Sequence, residues 1–318
     1  MKNLVFPKAS ARESLFSLIL QSNTSIDSQM KRLIFAFFLA LAATSCSEPS
    51  LRIGSYNLWR SDLGKEDYAW SVRKPRLIQS IKDINFDLFG AQEVDTTMIR
   101  ELPLLFKEAG LDYTLFIFSP YREDGGVGNK AQAIIYNNKR LEMLDDHHFW
   151  YSETPDTISS GWDEMKFKRG GCCGTFMDKK TGVKFFVMMS HMPLAKEANL
   201  HAASILNEKA KQYNPKGLPA IFVGDLNTRP ETPSSTVLRT YWSDVYLTLP
   251  SEKRSGPHGT FNSHNVEKDM ETAARIDYIY FHGEGVIPQN YFCDTTLYDG
   301  LYPSDHCPIY SDIIIKAN

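Results

Sequence analysis

The chain has 318 residues, 42% hydrophobic and 23% charged, with a formal net charge of −3. That balance excludes disordered and fibrous classes and provides ample apolar material for a large core. No Pro/Gly/Ser-rich linker or acidic run divides the sequence after residue 50, so a single folded domain is expected.

The first 50 residues read apart from that domain. Lys31-Arg32 precede the apolar run Leu33–Ala43, and Thr44-Ser45 then lead into Cys46. Basic, apolar, cleavage site is the order of a secretory signal, and the run is too short for a spanning helix. Ala43-Thr44-Ser45-Cys46 also resembles a bacterial lipobox, which implies a lipidated cysteine as the mature N-terminus. Met30 stands directly before Lys31, so residues 1–29 are read as an over-called extension, 30–45 as signal peptide, 46–50 as a tether and 51–318 as the functional domain. The alternative is a simple apolar anchor, or a cleaved signal in which Cys46 is incidental. The expectation is an exported monomer held at the membrane through lipid at Cys46, facing the periplasm or the cell exterior.

Residues 1–45 carry Lys2, Lys8, Arg12, Lys31 and Arg32 against Glu13 and Asp27, a net +3, so their removal takes the whole-chain −3 to −6. Such a surface does not favour binding of nucleic acid by electrostatics alone. Cys172, Cys173, Cys293 and Cys307 remain in the domain; their spacing fits no zinc pattern. An exported location permits a disulfide, and free buried thiols are the alternative.

Along the domain, short runs rich in β-branched and aromatic residues read as strands: Leu51–Tyr56, Asp87–Ala91, Ala131–Tyr136, Phe185–Ser190, Ala220–Val223, Ile276–Phe281 and Ile309–Ile315. Between them, Arg76–Ile84 places Leu77, Ile78, Ile81 and Ile84 on one helical face, and Glu197–Tyr213 repeats Leu200, Ala203, Leu206 and Ala210. This mixture predicts a layered α/β fold. What ends the strands is more informative. Asn57, Glu93, His191 and Asp225 each follow an apolar run, whereas Asp277 and the pair Asp305-His306 stand at the start of later ones. If the first four strands run one way and the last two the other, all six ends converge on one pocket.

Gly224-Asp225-Leu226-Asn227, Ser304-Asp305-His306 and Ala91-Gln92-Glu93, with Ser55-Tyr56-Asn57 ahead and Arg275-Ile276-Asp277-Tyr278-Ile279 between, resemble in content and order the motif series of the endonuclease/exonuclease/phosphatase family. The resemblance covers roughly residues 51–318. It implies a four-layered α/β sandwich of two packed mixed β-sheets flanked by helices, and metal-dependent hydrolysis of a phosphoester by an activated water.

The residues also suit that chemistry in their own right. Magnesium prefers one or two carboxylates plus waters and substrate phosphate, and Glu93 is the expected direct ligand of Mg2+, or of Mn2+ or another divalent ion, with Asn57 and Asp305 completing its surroundings. By resemblance, Asp225 orients and deprotonates the attacking water and Asn227 donates to the phosphoryl group. His306 can contact the scissile phosphate, with Asp277 fixing its tautomer; whether Asp225 or His306 is the general base stays open. His191 stands where the family carries a phosphate-contacting histidine. Substrate-binding candidates are His258, at the pocket rim within Pro257–Asn262, and Arg169, at the end of the basic run Lys166–Arg169. His147, His148, His201 and His282 fit no motif and read as surface residues.

One departure concerns a second glutamate that several branches of the family place ahead of the strand matching Ala131–Tyr136. Gly128-Asn129-Lys130 stands there instead, leaving His191 without an evident partner. Three function classes compete: a phosphoesterase, acting on a small phosphoester or, alternatively, on DNA or RNA; a binding protein that has lost catalysis; and a two-carboxylate glycosidase, which leaves the Asp-His and Asp-x-Asn segments unexplained. No hairpin of exposed aromatics reads as membrane-inserting, although Phe149-Trp150-Tyr151 and Trp162 are candidates for a pocket rim.

Overall fold

The structure is a computed structural model that describes residues 48–120, 130–162 and 168–317. The signal, Cys46, Gly128-Asn129 and Lys166-Phe167 lie outside the described residues. In chain order the domain begins with β1 (Ser50–Asn57), α1 (Trp70–Ile84), β2 (Leu88–Val94), α2 (Thr96–Glu108), β3 (Tyr113–Phe118), β4 (Ala131–Asn137), β5 (Leu141–Met143) and β6 (His147–Trp150). Then follow β7 (Gly170–Asp178), β8 (Lys184–His191), α3 (Lys196–Tyr213), β9 (Ala220–Asp225), α4 (Pro233–Leu238), β10 (Ser243–Asp244) and α5 (Val245–Thr248). The chain closes with β11 (Arg254–Ser255), β12 (Asp277–His282), β13 (Val286–Pro288), β14 (Tyr291–Cys293) and β15 (Ile309–Ile315).

These strands form two mixed sheets, β11-β14-β15-β1-β2-β4-β3 with β13 beside β15, and β10-β12-β9-β8-β7-β5 with β6 beside β7. Both are covered on two faces, which is why β8 and β9 read as nearly unbroken apolar runs rather than alternating ones. Leu51, Ile53, Leu88 and Ile134 of one sheet meet Val187, Met189, Ile221, Val223 and Ile279 of the other in a central core. On the outer face of the first sheet, Leu77, Ile78, Ile81 and Ile84 of α1 pack with Phe89, Ala91 and Ile135. On that of the second, Ala202, Ala203, Leu206 and Ala210 of α3 pack with Met188, Phe222 and Tyr280. The result is four layers, helix, sheet, sheet, helix, with about 1.5–3 kcal/mol from each large side chain so buried.

Several local readings are corrected. Helix α1 extends six residues ahead of Arg76, through Pro75, which lacks the N–H that would bond the Ser71 carbonyl. Leu200 is outside the buried stripe of α3, at 37% exposure, and Ala198, Asn199 and Ala202 are on it. Phe149, Trp150 and Tyr151 belong to the core, no more than 2% exposed, and so do not form a rim. Strand β7 was hidden in the sequence by three glycines, and α2 by its interior Pro103. All four described cysteines are buried free thiols.

Strand direction brings the polar ends together. In the first sheet β1 runs parallel to β2, pairing Asn57 with Gln92, and antiparallel to β15, pairing Ser55 with Ile309, so that His306 precedes β15 at the same edge. In the second, parallel β8 and β9 pair His191 with Asp225, and antiparallel β12 pairs Asp277 with Asp225. Two glycines allow this closeness. A Cβ on Gly224 would lie 2.1 Å from the Ser190 carbonyl oxygen, and one on Gly90 would lie 2.7 Å from both Met189 and Val223 of the opposite sheet.

Candidate active site

Asp225, 1% exposed at the end of β9, is the centre of the group. Its Oδ1 accepts the Asn227 backbone N–H at 3.0 Å, and its Oδ2 accepts Asn57 Nδ2 at 3.1 Å. The same Oδ2 lies 3.4 Å from His191 Nε2 and 3.8 Å from His306 Nε2. Asn57 therefore bridges the sheets, and it is fixed in turn by Trp59 N–H donating to its Oδ1 at 3.0 Å and Ser304 Oγ donating to its carbonyl at 2.6 Å. Asn227 adopts φ +50, the left-handed turn that Asn tolerates, and donates from Nδ2 to the Met192 carbonyl at 3.0 Å.

His306 donates from Nδ1 to Asp277 Oδ2 at 2.8 Å, and that oxygen also accepts Thr260 Oγ1–H at 2.6 Å. The Nε2 side of the ring is thereby turned toward Asp225. Burial works against the imidazolium, but the carboxylates of Asp277, Asp225 and Asp305 outweigh it and raise its pKa well above the ordinary value. Burial raises Asp225, with Asp277 adding to the effect and His306 opposing it. His306 therefore favours its charged form, because that ring is flanked by two carboxylates and hydrogen-bonded to one. His191 is the opposite case: burial, then the nearby Arg169, His306 and Lys130, drive its pKa well below the ordinary value and keep it neutral.

Glu93 sits in a β-bulge. The β2–β4 register slips between Ala91 and Val94, and Glu93 has φ +58, a conformation costing a non-glycine residue about 1–3 kcal/mol. The bulge turns its carboxylate out of the pleat and into a cavity of about 70 Å3 lined also by Arg60, Lys130, Gln132, Arg169 and His191. Asp305 is raised by burial and, among nearby charges, by the Glu93 carboxylate. Two half-buried carboxylates, Glu93 and Asp305, fit a hard divalent cation, with Asn57 close by through Ser304. Among the described residues, the group of three potential ligands lying within 4.8 Å of one another is instead Asp225, Asp277 and His306. That group is engaged in its own hydrogen bonds, and it includes an imidazole that favours its charged form, so the Glu93–Asp305 side suits a cation better.

Arg169 lines the Glu93 cavity, whereas His258 packs edge-on to Tyr246 and makes no contact with the Asp225 group among the described residues. Sequence reasoning passed over several residues around the site. Gln132 stands two positions beyond Lys130 on β4, a buried neutral amide beside His191. Arg73, fully buried, donates to the carbonyls of Leu58 at 2.9 Å and Pro303 at 3.2 Å, and also to Trp59, so it ties the loop after Asn57 to the segment before Asp305. A cation on the same helical stripe as Trp70, Leu77 and Ile81 was the available signal.

The family model described as Endonuclease/Exonuclease/phosphatase family matches residues 54–306. Among solved structures, an endonuclease/exonuclease/phosphatase from Bacteroides vulgatus superposes with TM-score 0.76 at 24% identity, covering 85% of this chain and 100% of that one. A mannosyl-6-phosphatase from Bacteroides thetaiotaomicron superposes with TM-score 0.72 at 28% identity, covering 84% and 100%. An uncharacterized protein of Acanthamoeba polyphaga mimivirus is 27% identical over 165 residues, and the match spans 51% of this chain and 60% of that relative's length.

Proposed function

Since the chain belongs to the endonuclease/exonuclease/phosphatase family, whose members are divalent-metal-dependent phosphoester hydrolases, we propose that it hydrolyses a small phosphoester by in-line attack of water. The observation that carries this reading is the buried Asp225 carboxylate held by Asn57 and Asn227, with His191 Nε2 at 3.4 Å and His306 Nε2 at 3.8 Å. With the proton on His306, Asp225 is the available base: it orients the attacking water and takes its proton. His306 and the Asn227 amide then donate to the phosphoryl oxygens as charge accumulates on them, while Asp277 and Thr260 hold the His306 ring in place. Neutral His191, with Nε2 3.4 Å from Asp225 Oδ2, packs beside that carboxylate. Glu93 and Asp305, with Asn57, would hold the cation, which supplies Lewis-acid stabilisation of the phosphoryl oxygens when bound.

Two considerations favour small substrates over nucleic acid. A domain near −6 has little general attraction for a polyanionic duplex, and the mannosyl-6-phosphatase, which covers 84% of this chain, bears a sugar-phosphate activity in its name. For location, the reading is a monomer tethered outside the cytoplasm through lipid at Cys46. The test is turnover by the purified domain, with magnesium or manganese, of sugar, inositol and nucleotide phosphates against plasmid and single-stranded DNA at physiological salt. Cutting of DNA with the small-molecule panel untouched overturns the preference.

A further inference from the structure

Three residues other than glycine take left-handed backbone beside the segments that carry Asn57 and Asp305: Trp59 at φ +52, Ser263 at +59 and His264 at +58. Glycine would hold such positions without strain, yet two of them carry aromatic rings, and those rings meet. The His264 ring lies 4.1 Å from that of Trp59 and 4.2 Å from that of Tyr68, centroid to centroid. Tyr68 Oη–H donates to the His264 carbonyl at 3.2 Å, and the His264 N–H donates to Asn262 Oδ1 at 2.7 Å. We infer that His264 is a positioning residue for the cation site: its ring, stacked against Trp59 and Tyr68, sets the spacing of Asn57 from Asp305. The inference rests on the reading of Glu93, Asp305 and Asn57 as the cation's surroundings.

Each side of the stack is tied to one of those groups. On one side, the Trp59 N–H donates to Asn57 Oδ1 at 3.0 Å, and the Arg73 guanidinium carbon lies 5.1 Å from the centre of the Trp59 ring. On the other, the N–H groups of Asn262 and Ser263 both donate to the Asp305 carbonyl, at 2.8 and 3.0 Å, and Asn262 Nδ2 donates to the Ser304 carbonyl at 3.1 Å. The His264 ring acts through its faces. Neither Nδ1 nor Nε2 has a hydrogen-bond partner among the described residues, and both atoms are shut off from solvent. Burial, then the charges of Arg73, His306 and Arg76, bring its pKa down to about 4, so the ring is a neutral plate at physiological pH. A histidine that transfers protons or ligates a metal presents a nitrogen to its partner. Shape and stacking are what remain, and a phenyl ring supplies both. Magnesium demands near-ideal ligand geometry, so a slack stack is felt as weaker metal binding rather than as a lost chemical step.

The experiment titrates the purified protein with manganese in the absence of substrate, reading free Mn2+ by electron paramagnetic resonance. His264→Ala should weaken binding by about tenfold, as for residues that support metal ligands, whereas His264→Phe should stay within about twofold of the parent. At saturating manganese, kcat of His264→Ala should return to within about threefold of the parental value. Tyr68→Leu loosens the stack from its other side and should weaken binding by about threefold or more, which serves the test if His264→Ala does not fold. His282 stacks on Tyr241 at 3.9 Å, at the end of β12 opposite Asp277, so His282→Ala removes a like contact elsewhere and should leave manganese binding unmoved. Parental manganese binding by folded His264→Ala, or by Tyr68→Leu in its place, overturns the inference and leaves the cation reading standing. Equal weakening in His264→Phe also overturns it, because the ring nitrogens would then matter, as does equal weakening in His282→Ala, because the loss would then be general. If the parent itself binds no manganese, the cation reading falls and this inference with it.

Discussion

Replacing Asp277 by Asn keeps shape and removes the charge that orients His306. Asp277 is fully buried, and its Oδ2 accepts two hydrogen bonds, from His306 Nδ1 at 2.8 Å and Thr260 Oγ1 at 2.6 Å. An Asn amide oxygen in the Oδ2 position can still accept both donors, but the bond from His306 then goes to a neutral group. Bonds to charged groups contribute about 1.5–3 kcal/mol and neutral ones about 0.5–1.5, so about 1–1.5 kcal/mol is lost. At about 1.4 kcal/mol per tenfold in rate, kcat should fall by about five- to tenfold. The His306 pKa also falls, since its strongest favourable charge is gone, so the alkaline limb of the kcat profile should move to lower pH. Stability follows the same linkage. The folded pKa of His306 lies above its unfolded value, so the pair stabilises the fold fully below about pH 6.5 and loses that contribution as pH rises through the folded value. The Tm difference between parent and variant should therefore be largest near pH 6 and shrink in alkaline buffer. Steady-state turnover of a chromogenic phosphoester and melts by circular dichroism across pH 5.5–9 measure both effects. A variant with parental kcat, an unmoved alkaline limb and a pH-independent Tm difference would refute the orienting role of Asp277.

Three further predictions use simpler perturbations. Glu93→Gln retains shape and removes an ionised oxygen that a hard cation prefers, so the magnesium concentration for half-maximal activity should rise about tenfold or more, with partial rescue at high metal; an unchanged metal titration makes Glu93 a bystander. Arg275→Met breaks a pair buried to 1% exposure on both sides, with Asp244 at 2.8 Å, and should cost about 3–5 kcal/mol. At about 2–4 °C per kcal/mol for a domain of this size, Tm should drop by about 6–20 °C, and adding Asp244→Leu should recover part of it. A drop under 2 °C refutes that role. Mass spectrometry of the cell-derived protein should find translation from Met30 and an acylated Cys46; an unmodified Cys46, or residues 1–29 still attached, rejects the lipid tether.

Much of the candidate site's assembly was legible because its residues are concentrated in short segments that also end strands. Asn57, His191 and Asp225 each close an apolar run long enough to be a strand, and Asp277 opens one, so residue type and position carried the same message. The buried stripe of α1 was equally visible in Leu77, Ile81 and Ile84, since helical periodicity is local. The cationic cavity was not. Arg60, Lys130 and Arg169 are far apart in the chain and occur in loops or at strand starts, where a single basic residue ordinarily signifies solvent exposure. Only the packing of the two sheets brings them to one place. The same holds for Glu93, whose residue type was readable but whose aim depends on a bulge and a positive φ set by the pairing of β2 with β4. Asp225 is the clearest division between the two levels. Its sequence context suggested a carboxylate suited to activating water, whereas its burial and the neighbouring His306 ring depend on side chains from β1, β8 and β12 and the segment before β15. Burial and charge proximity are properties of tertiary contact, and no local pattern encodes them.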